Sequence, residues 1–188
     1  MLELAILGLL HHAPMHGYEL RKRLNAMLGA FRAFSYGSLY PALRELSARG
    51  LISASDPVDD GGVGLGGKRA RIVYRLTEGG HSALESLLGE AGPATWEDEN
   101  FDVRFAFFAQ TDVETRLRIL EGRRTRMAER LETLRAAMTR DPDPDPYTSE
   151  LQRHGLDQVE REVRWLDGLI DAESGQRRAR RHSGRAPA

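Results

Sequence analysis

The sequence predicts a mainly α protein of two parts, a small domain of three helices and a two-stranded hairpin, followed by a larger helical domain. Three observations carry this prediction. Apolar residues recur at intervals of three and four along most of the chain, two short β-prone runs flank a glycine-rich loop, and alternating aspartate and proline interrupt a later helical pattern. A length of 188 residues suits two modules, which we place at residues 1–90 and 91–172, and residues 173–188 form a basic tail expected to be disordered.

The first two helices and the hairpin follow from apolar spacing and from turn residues. Apolar positions predict helices over residues 2–11 and 15–28. Two strands, residues 51–55 and 71–76, flank the segment DPVDDGGVGLGGKRA, whose glycines predict a long hairpin loop. After the second strand, Thr77 stands where its hydroxyl can cap a fourth helix.

The third helix lies within SYGSLYPALRELSARGLI, residues 35–52. Proline is tolerated only near the start of a helix, so Pro41 predicts that the regular helix begins late, around Ser38. Gly50 occupies the position that a helix C-terminus favours. The apolar face of this helix consists of Leu39, Leu43 and Leu46.

The second domain is predicted to hold two long helices. An apolar pattern starts again at Phe101, and the segment TDVE, residues 111–114, has the spacing of a capping box, so a helix should begin there. The run DPDPDP, residues 141–146, must end that helix, because each proline removes a hydrogen-bond donor and disfavours helix in the residue before it. Each helix carries an apolar seam, a row of apolar residues at intervals of three and four. The first seam consists of Leu117, Leu120, Met127, Leu131, Leu134 and Met138 and is interrupted by Arg124; the second consists of Leu156, Val159, Val163, Leu166 and Ile170.

Two interpretations of these seams are open. The two helices can face only each other, which gives a monomer with a helical hairpin. Alternatively, each seam also packs against a second copy of the chain, because a hairpin alone would leave apolar stripes in water. We expect the second arrangement, a homodimer held together by residues 91–172.

The order of elements in the first domain is that of a winged helix-turn-helix, in which the third helix enters the major groove of DNA and the hairpin lies beside the backbone. The leucines would hold the helix on its domain, while Ser38, Tyr40 and Arg44 face outward. Hydroxyl groups can bond phosphates or base edges, and arginine can read guanine. The predicted fold class is therefore mainly α, a winged helix-turn-helix domain followed by an α-helical dimerisation domain, with double-stranded DNA as the partner.

The net charge of -1 does not oppose this interpretation, because the charges are unevenly distributed. Residues 1–78 carry 10 Lys and Arg against 7 Asp and Glu, residues 79–172 carry 12 against 20, and residues 173–188 carry 5 against 1. In the net charge, the acidic residues of 79–172 thus offset the basic excess of residues 1–78 and 173–188. We interpret the tail as a solvated end, with a nonspecific DNA contact as the less favoured alternative.

Three segments together resemble the PadR family of bacterial transcriptional regulators: LAILGLLHHAPMHGYEL, SYGSLYPALRELSARGLI and RIVYRLTEGGHSAL. They are similar to that family's LLGLL helix, its P-x-HGYEL turn, its GTLYPALxxLExxGLI recognition helix and its RxxYxLTxxG wing exit. The acidic helical remainder resembles the C-terminal dimerisation domain of the larger members. The resemblance implies a homodimer that binds a palindromic promoter site, usually as a repressor and often relieved by a small molecule.

The resemblance also implies roles for individual residues. Tyr18, Ser38 and Tyr40 fall on DNA-facing positions of the family motifs, and Lys68, Arg69 and Arg71 fall on the wing. The wing loop departs from the family pattern because it is longer and richer in glycine. The full set of predicted DNA-binding residues is Tyr18, Ser35, Tyr36, Ser38, Tyr40, Arg44, Lys68, Arg69 and Arg71.

An aromatic cluster marks the junction of the two predicted domains. Aromatic residues at helical spacing usually form core, and core is the simpler interpretation here. Pockets, however, favour such junctions, so the cluster is also the predicted site for a small aromatic or apolar effector. The residues of this predicted effector pocket are Trp96, Phe101, Phe105 and Phe108.

Other motifs carry weaker signals. The segment GVGLGGKR contains the G-x-x-x-x-G-K spacing of a phosphate-binding loop, but Arg69 follows where Ser or Thr is needed, and a strand follows where a helix is needed. A flexible wing tip is the better account. His11, His12 and His16 do not predict a metal site, because adjacent histidines point to different sides of a helix. No arrangement of nucleophile and base stands out, so we expect neither enzymatic activity nor a cofactor.

The compartment and one alternative function complete the sequence predictions. The chain has no cysteine, which suits a reducing cytoplasm, and its apolar residues 4–10 are too short to span a bilayer and lack a basic leader. We therefore expect a cytoplasmic protein without a membrane partner. The alternative function is a protein-interaction adaptor that uses the winged domain as a dimer scaffold and has no operator; the exposed Ser38, Tyr40 and Arg44 favour DNA binding instead.

Overall fold

The computed structural model describes residues 1–29, 35–55, 72–140 and 144–183. The chain forms two compact units, Met1–Glu90 with Asp102–Thr111, and Ala91–Phe101 with Asp112–Ala188. The predicted second domain, residues 91–172, thus contains a segment, residues 102–111, that belongs to the first unit. The reason lies in the core of the first unit, where Val103 and Phe107 are buried.

Seven helices and three strands of the described ranges take up most of the two units, with three-residue 3-10 turns at Pro93–Thr95 and Phe108–Gln110. In the first unit these are α1 Leu2–His12, β1 Met15–His16, α2 Gly17–Leu28, α3 Tyr36–Ala48, β2 Ile52–Ser55, β3 Val73–Leu76 and α4 Glu78–Gly89. Helix α5, Asp98–Ala106, passes from one unit into the other. The second unit contains α6 Val113–Arg140 and α7 Pro146–Ser183.

Helix α1 is the centre of the first unit. Its residues from Leu4 to Leu10 are all buried, as expected of a helix that is apolar on every side. Gly8 is required in this helix because a Cβ atom there would collide with the ring of Phe107. This contact places the segment after α5 in the core of the first unit, and it depends on residues about one hundred positions apart in the sequence.

The sheet has three strands in the order β1-β3-β2, all antiparallel. In the register, Ile52 lies opposite Leu76, and Met15 lies opposite Tyr74. The sequence prediction of a helix over residues 15–28 was wrong at its first two residues, because they pair with β3 before α2 begins. A strand of two residues is too short to show an alternating pattern.

Both ends of α3 are held by local hydrogen bonds. The prediction that it begins around Ser38 was wrong by two residues: Ser35 caps the helix, its Oγ accepting a bond from the Ser38 backbone N–H at 3.3 Å, and Pro41 lies inside the helix. At the other end Gly50 has a φ of 70°, a left-handed conformation that glycine adopts without strain. The Leu51 N–H then donates to the Leu46 carbonyl at 2.9 Å, which completes the predicted glycine stop.

The other predicted helix starts are confirmed, one with a different cap. The Thr77 Oγ1 accepts a bond from the Gly80 N–H at 3.0 Å and begins α4 as predicted. At the start of α6 the cap is Asp112, whose Oδ1 accepts from the Thr115 N–H at 2.9 Å. The predicted cap, Thr111, instead donates its hydroxyl to the Phe107 carbonyl.

Helices α6 and α7 form a hairpin in the second unit. Ion pairs join the start of α6 to the end of α7 through Glu114 and Arg177, and the end of α6 to the middle of α7 through Arg135 and Glu160, so the helices are antiparallel. Within one chain this packing already buries part of both seams. The buried seam residues are Leu117, Leu120, Met127, Leu131, Val159 and Leu166.

Two expectations about the second unit need correction. The argument that a hairpin alone leaves its seams in water does not hold for the buried seam residues, because the two helices cover them. Residues 173–183, expected to be disordered, continue α7, and Arg116 pairs with Glu173 at 2.7 Å. Over the described ranges, none of the helices combines the length and apolar character that a bilayer crossing needs.

Candidate nucleic-acid interface

Helix α3 has one buried and one exposed face, as predicted. Leu39, Leu43 and Leu46 are buried in the first unit and fix the helix on its domain. The exposed face carries Tyr36, Tyr40 and Arg44, which are spaced by four residues and therefore lie one turn above the other. Two tyrosines and one arginine on a rigid helix can contact both base edges and phosphates.

The predicted serines at the start of α3 bond to each other. The Ser38 Oγ donates to the Ser35 carbonyl at 3.1 Å, and the Ser35 Oγ accepts from the Ser38 N–H. Both residues are exposed at this helix end. The backbone N–H groups of a first helical turn have no carbonyl partner within the helix, so this end can also donate to a phosphate.

Beside α3 the first unit has an open hollow of about 990 Å³. Tyr18 stands at its edge with 62% of its surface exposed, and Tyr40 lies close to the backbone of Gly17. A Cβ atom at position 17 would come within 3.2 Å of the Tyr40 hydroxyl, so a glycine at this position allows the Tyr40 ring to pack closely against the start of α2. The hollow is lined by His16, Gly17, Tyr18, Glu19, Lys22, Arg23, Ala26, Tyr40, Ile72 and Tyr74.

Tyr74, on β3, is a lining residue of this hollow that the sequence analysis missed. Burial raises the pKa of its hydroxyl above the ordinary value, and the neighbouring Tyr40 raises that pKa further, while Arg44 opposes the shift. The phenol therefore stays neutral at physiological pH and can donate a hydrogen bond. Its strand position gave no signal, because a four-residue strand with one buried tyrosine has the pattern of ordinary core.

The cations of α2 have different partners. Arg23 forms an ion pair with Glu19 at 2.7 Å, one turn earlier in the same helix. The guanidinium carbon of Arg21 lies 4.0 Å from the centroid of the Tyr36 ring. Tyr36 and Tyr40 are stacked, with centroids 5.8 Å apart and an interplanar angle of 19°. Sequence reasoning did not select Arg21; the available signal was the run of three basic residues, 21–23, within α2.

The predicted wing residues lie outside the residues that the structure describes. Lys68, Arg69 and Arg71 fall in the range 56–71, as does the whole glycine-rich loop. Their contact with DNA therefore stays a prediction from the sequence.

The four residues of the predicted effector pocket fall in two pairs. In the second unit, Trp96 lies against Gly122, where a Cβ atom would come within 2.5 Å of its ring, and Phe101 contacts Trp165 edge to face at 6.1 Å. In the first unit, the rings of Phe105 and Phe108 have centroids 5.0 Å apart. A pocket formed from all four residues stays a prediction.

The histidines have separate neighbours. The Nδ1 atoms of His11 and His81 are 3.4 Å apart, His12 lies 3.0 Å from the side chain of Gln110, and His16 lies 3.2 Å from the Ile72 carbonyl oxygen. In the part of the chain that the structure describes, no three His, Asp or Glu side chains are placed to hold a metal ion together.

Comparisons with known proteins match two separate segments of the chain. Residues 6–86 match the model of the transcriptional regulator PadR-like family, and residues 99–172 match that of the virulence activator alpha C-terminal domain. The chain is 30% identical over 101 residues to the negative transcriptional regulator PadR of Bacillus subtilis, a match that covers 53% of this chain and 52% of that protein.

Two further matches extend this comparison. Identity with the transcriptional regulator Rv3488 of Mycobacterium tuberculosis is 41% over 81 residues, covering 42% of this chain and 66% of that one. In sequence, the chain thus spans between half and two thirds of the length of these two relatives. The crystal structure of B. subtilis PadR in complex with operator DNA superposes with a TM-score of 0.43 at 23% identity, covering 92% of this chain and 98% of that one.

Proposed function

The chain belongs, through residues 6–86, to the PadR-like family of transcriptional regulators, and we propose that it binds a palindromic promoter site as a homodimer and represses transcription from it. The observation that carries this proposal is the exposed face of α3. A helix anchored by buried leucines presents Tyr36, Tyr40 and Arg44 to the outside, and among the described residues these three side chains lie outside the hydrophobic core.

The contacts divide by chemistry. Tyr40 and Arg44, on the second and third turns of α3, read base edges in the major groove, and Ser38 adds a hydroxyl near the helix start. Tyr18, beside the hollow, contacts the sugar-phosphate backbone. The wing residues Lys68, Arg69 and Arg71 are proposed to bind phosphates and to add affinity without sequence preference.

A homodimer is proposed because one winged domain contacts too little DNA for tight binding. Two heads must lie at half-sites about 34 Å apart, so an element has to hold that spacing. Helix α7 carries large apolar side chains outside its buried seam: Tyr147 is 88% exposed, Leu151 71% and Trp165 44%. A second copy would cover these residues, which otherwise contact water.

A small aromatic or apolar molecule is proposed to release the DNA. Trp96, Phe101, Phe105 and Phe108 supply aromatic surface for it. Planar aromatic compounds should quench tryptophan fluorescence saturably, and Trp96→Phe separates that signal from the signal of Trp165. A compound that releases DNA but leaves Trp96 fluorescence unchanged would place the effector elsewhere.

The direct test is a gel shift with DNA from upstream of the protein's own gene. A palindromic site should bind far more tightly than the same DNA with one half-site scrambled, since both heads contribute. Shortening the chain after Arg140 removes α7 and should leave only weak half-site binding. If the full chain shows no preference for any duplex over random DNA, the proposal fails and the adaptor interpretation takes its place.

A further inference from the structure

We propose that Arg21 is a phosphate-binding residue of the DNA-contacting face and that Tyr36 is the residue that positions it, an inference that rests on the proposed function. Neither the family motifs quoted above nor the sequence analysis assigns a role to Arg21. The two side chains come from different helices, Arg21 from α2 and Tyr36 from the first position of α3. They therefore connect the two helices of the helix-turn-helix.

The first argument is geometry. The Arg21 guanidinium carbon is 4.0 Å from the Tyr36 ring centroid, which is contact distance between a cation and an aromatic face. A guanidinium has five N–H groups; the Nε of Arg21 is buried, so the groups that a ligand would meet are those of the two terminal nitrogens. A guanidinium already fixed on a ring also loses less side-chain freedom when it binds a ligand.

The second argument is charge. Among the described residues, no carboxylate lies within ion-pair distance of Arg21, whereas Arg23, two positions later, is paired with Glu19 at 2.7 Å. The same helix thus contains one arginine neutralised by a neighbour and one that lies over an aromatic ring with no carboxylate partner among the described residues. An arginine without a carboxylate partner can neutralise a phosphate without first breaking a pair.

The third argument identifies the ligand as phosphate and not a base. In a helix-turn-helix the recognition helix supplies the base contacts, and the helix before it crosses the sugar-phosphate backbone. Arg21 belongs to that preceding helix. Tyr36 contacts both Arg21 and the stacked ring of Tyr40, so it has little freedom to turn towards a base edge. We therefore assign Tyr36 a positioning role, which replaces the base or phosphate contact expected from the sequence.

The experiment measures binding to a random-sequence duplex and to the upstream DNA over a range of salt concentrations. Arg21→Ala should weaken both equally, by about tenfold, and lower the slope of log affinity against log salt by about 0.9. Tyr36→Phe keeps the ring and should match the wild type. Tyr36→Leu should weaken both duplexes, and the double variant Arg21→Ala/Tyr36→Leu should bind no worse than Arg21→Ala alone.

The matched control is Arg49→Ala, which removes an arginine held by Glu3 at the other end of α3 and should change neither slope nor affinity. Thermal unfolding of every variant checks that the fold is intact. An unchanged salt slope in Arg21→Ala overturns the phosphate contact. Additive losses in the double variant, or a changed ratio of upstream to random DNA in Tyr36→Leu, overturn the positioning role.

The two duplexes separate this inference from the proposed function. If the wild type prefers no sequence, but Arg21→Ala still lowers the slope of log affinity against log salt on random DNA, sequence-specific regulation is contradicted and the Arg21 contact is supported. A wild type that binds no duplex at all would overturn both.

Discussion

The hairpin of α6 and α7 and the exposed face of α2 and α3 use arginine in opposite ways. In the hairpin, arginines lie within ion-pair distance of carboxylates. They are Arg116, Arg123, Arg124, Arg126, Arg130, Arg135, Arg153, Arg164 and Arg177. On the α2–α3 face, Arg21 lies over a tyrosine, and no carboxylate of the described residues pairs with Arg44.

This difference shows that the number of arginines does not indicate where an anionic ligand binds. The nine hairpin arginines named above have carboxylate partners, and most of those exposed pairs contribute only about 0.2–1 kcal/mol each. On the α2–α3 face Arg23 is paired with Glu19, but Arg21 and Arg44 have no carboxylate partner among the described residues, so these two charges are available to an anionic ligand despite a whole-chain net charge of -1. We infer that DNA binding depends on the second group and folding of the second unit on the first.

Removal of Arg123 should give the largest effect on the hairpin. Its side chain is 9% exposed and donates to Asp98, to Glu162 at 2.8 Å and to the Trp96 carbonyl at 3.1 Å. It therefore holds the segment before α5 on α6 and α7. Arg123→Ala should lower the free energy of unfolding by about 3 kcal/mol, because several charge-assisted hydrogen bonds are lost together.

The neighbouring residue supplies the control for that measurement. Arg124 pairs with Asp167 at 3.0 Å, and both side chains are nearly half exposed. Arg124→Ala should cost less than about 1 kcal/mol in a urea titration. Equal losses in the two variants would show that burial of the guanidinium does not matter, and the comparison would fail.

Removal of a tyrosine from the α2–α3 face should weaken DNA binding and leave the free energy of unfolding unchanged. Tyr40 is partly exposed and stacks on Tyr36. Tyr40→Ala should weaken specific binding by about 1 to 3 kcal/mol if a base contact is lost, with little change in the unfolding transition. An unchanged ratio of specific to random DNA affinity would show that Tyr40 does not contact base edges.

The N-cap of α3 separates the structural and binding roles of one position. Ser35→Ala should destabilise the first unit by about 1 kcal/mol, because the Ser38 N–H loses its side-chain acceptor. Ser35→Asp keeps an acceptor at the cap but adds a negative charge beside the DNA. It should preserve stability and weaken binding to every duplex, measured by gel shift at low salt. Undiminished binding by Ser35→Asp would place this helix end away from phosphate.

The smallest expected effect is a pH dependence in the hairpin. Arg123 donates to the Asp98 carboxylate and lowers its pKa below the ordinary value. Because the folded-state pKa is lower than the unfolded one, the contribution is full above the unfolded pKa and is lost as the pH falls through the folded pKa. Asp98→Asn should therefore flatten the acid limb of the stability curve below about pH 4. An acid limb identical to that of the wild type would exclude this pair as its source.

Local patterns predicted most of the fold. Periodic apolar residues identified the helices, and the glycine stop at Gly50 and the cap at Thr77 required only the residues around them. The exposed face of α3 followed from the same periodicity, because the buried leucines determine which side chains point outward.

The features that sequence reasoning missed depend on contacts between distant residues. Strand β1 exists through its pairing with β3, and the segment after α5 joins the first unit through Phe107 and Gly8. The position of Arg21 over Tyr36 likewise requires α2 and α3 to pack before the two side chains can meet. No local spacing in the chain encodes these contacts.

The most direct test of the central claim removes one exposed arginine from each region and measures affinity for the upstream DNA. We predict that Arg44→Ala weakens binding at least tenfold and lowers the ratio of specific to random DNA affinity, since a guanine-reading arginine contributes about 1 to 3 kcal/mol of discrimination. Arg124→Ala, which removes the same charge from the hairpin, should bind as the wild type does. Equal losses in the two variants, or a loss confined to Arg124→Ala, would contradict the assignment of DNA binding to the α2–α3 face.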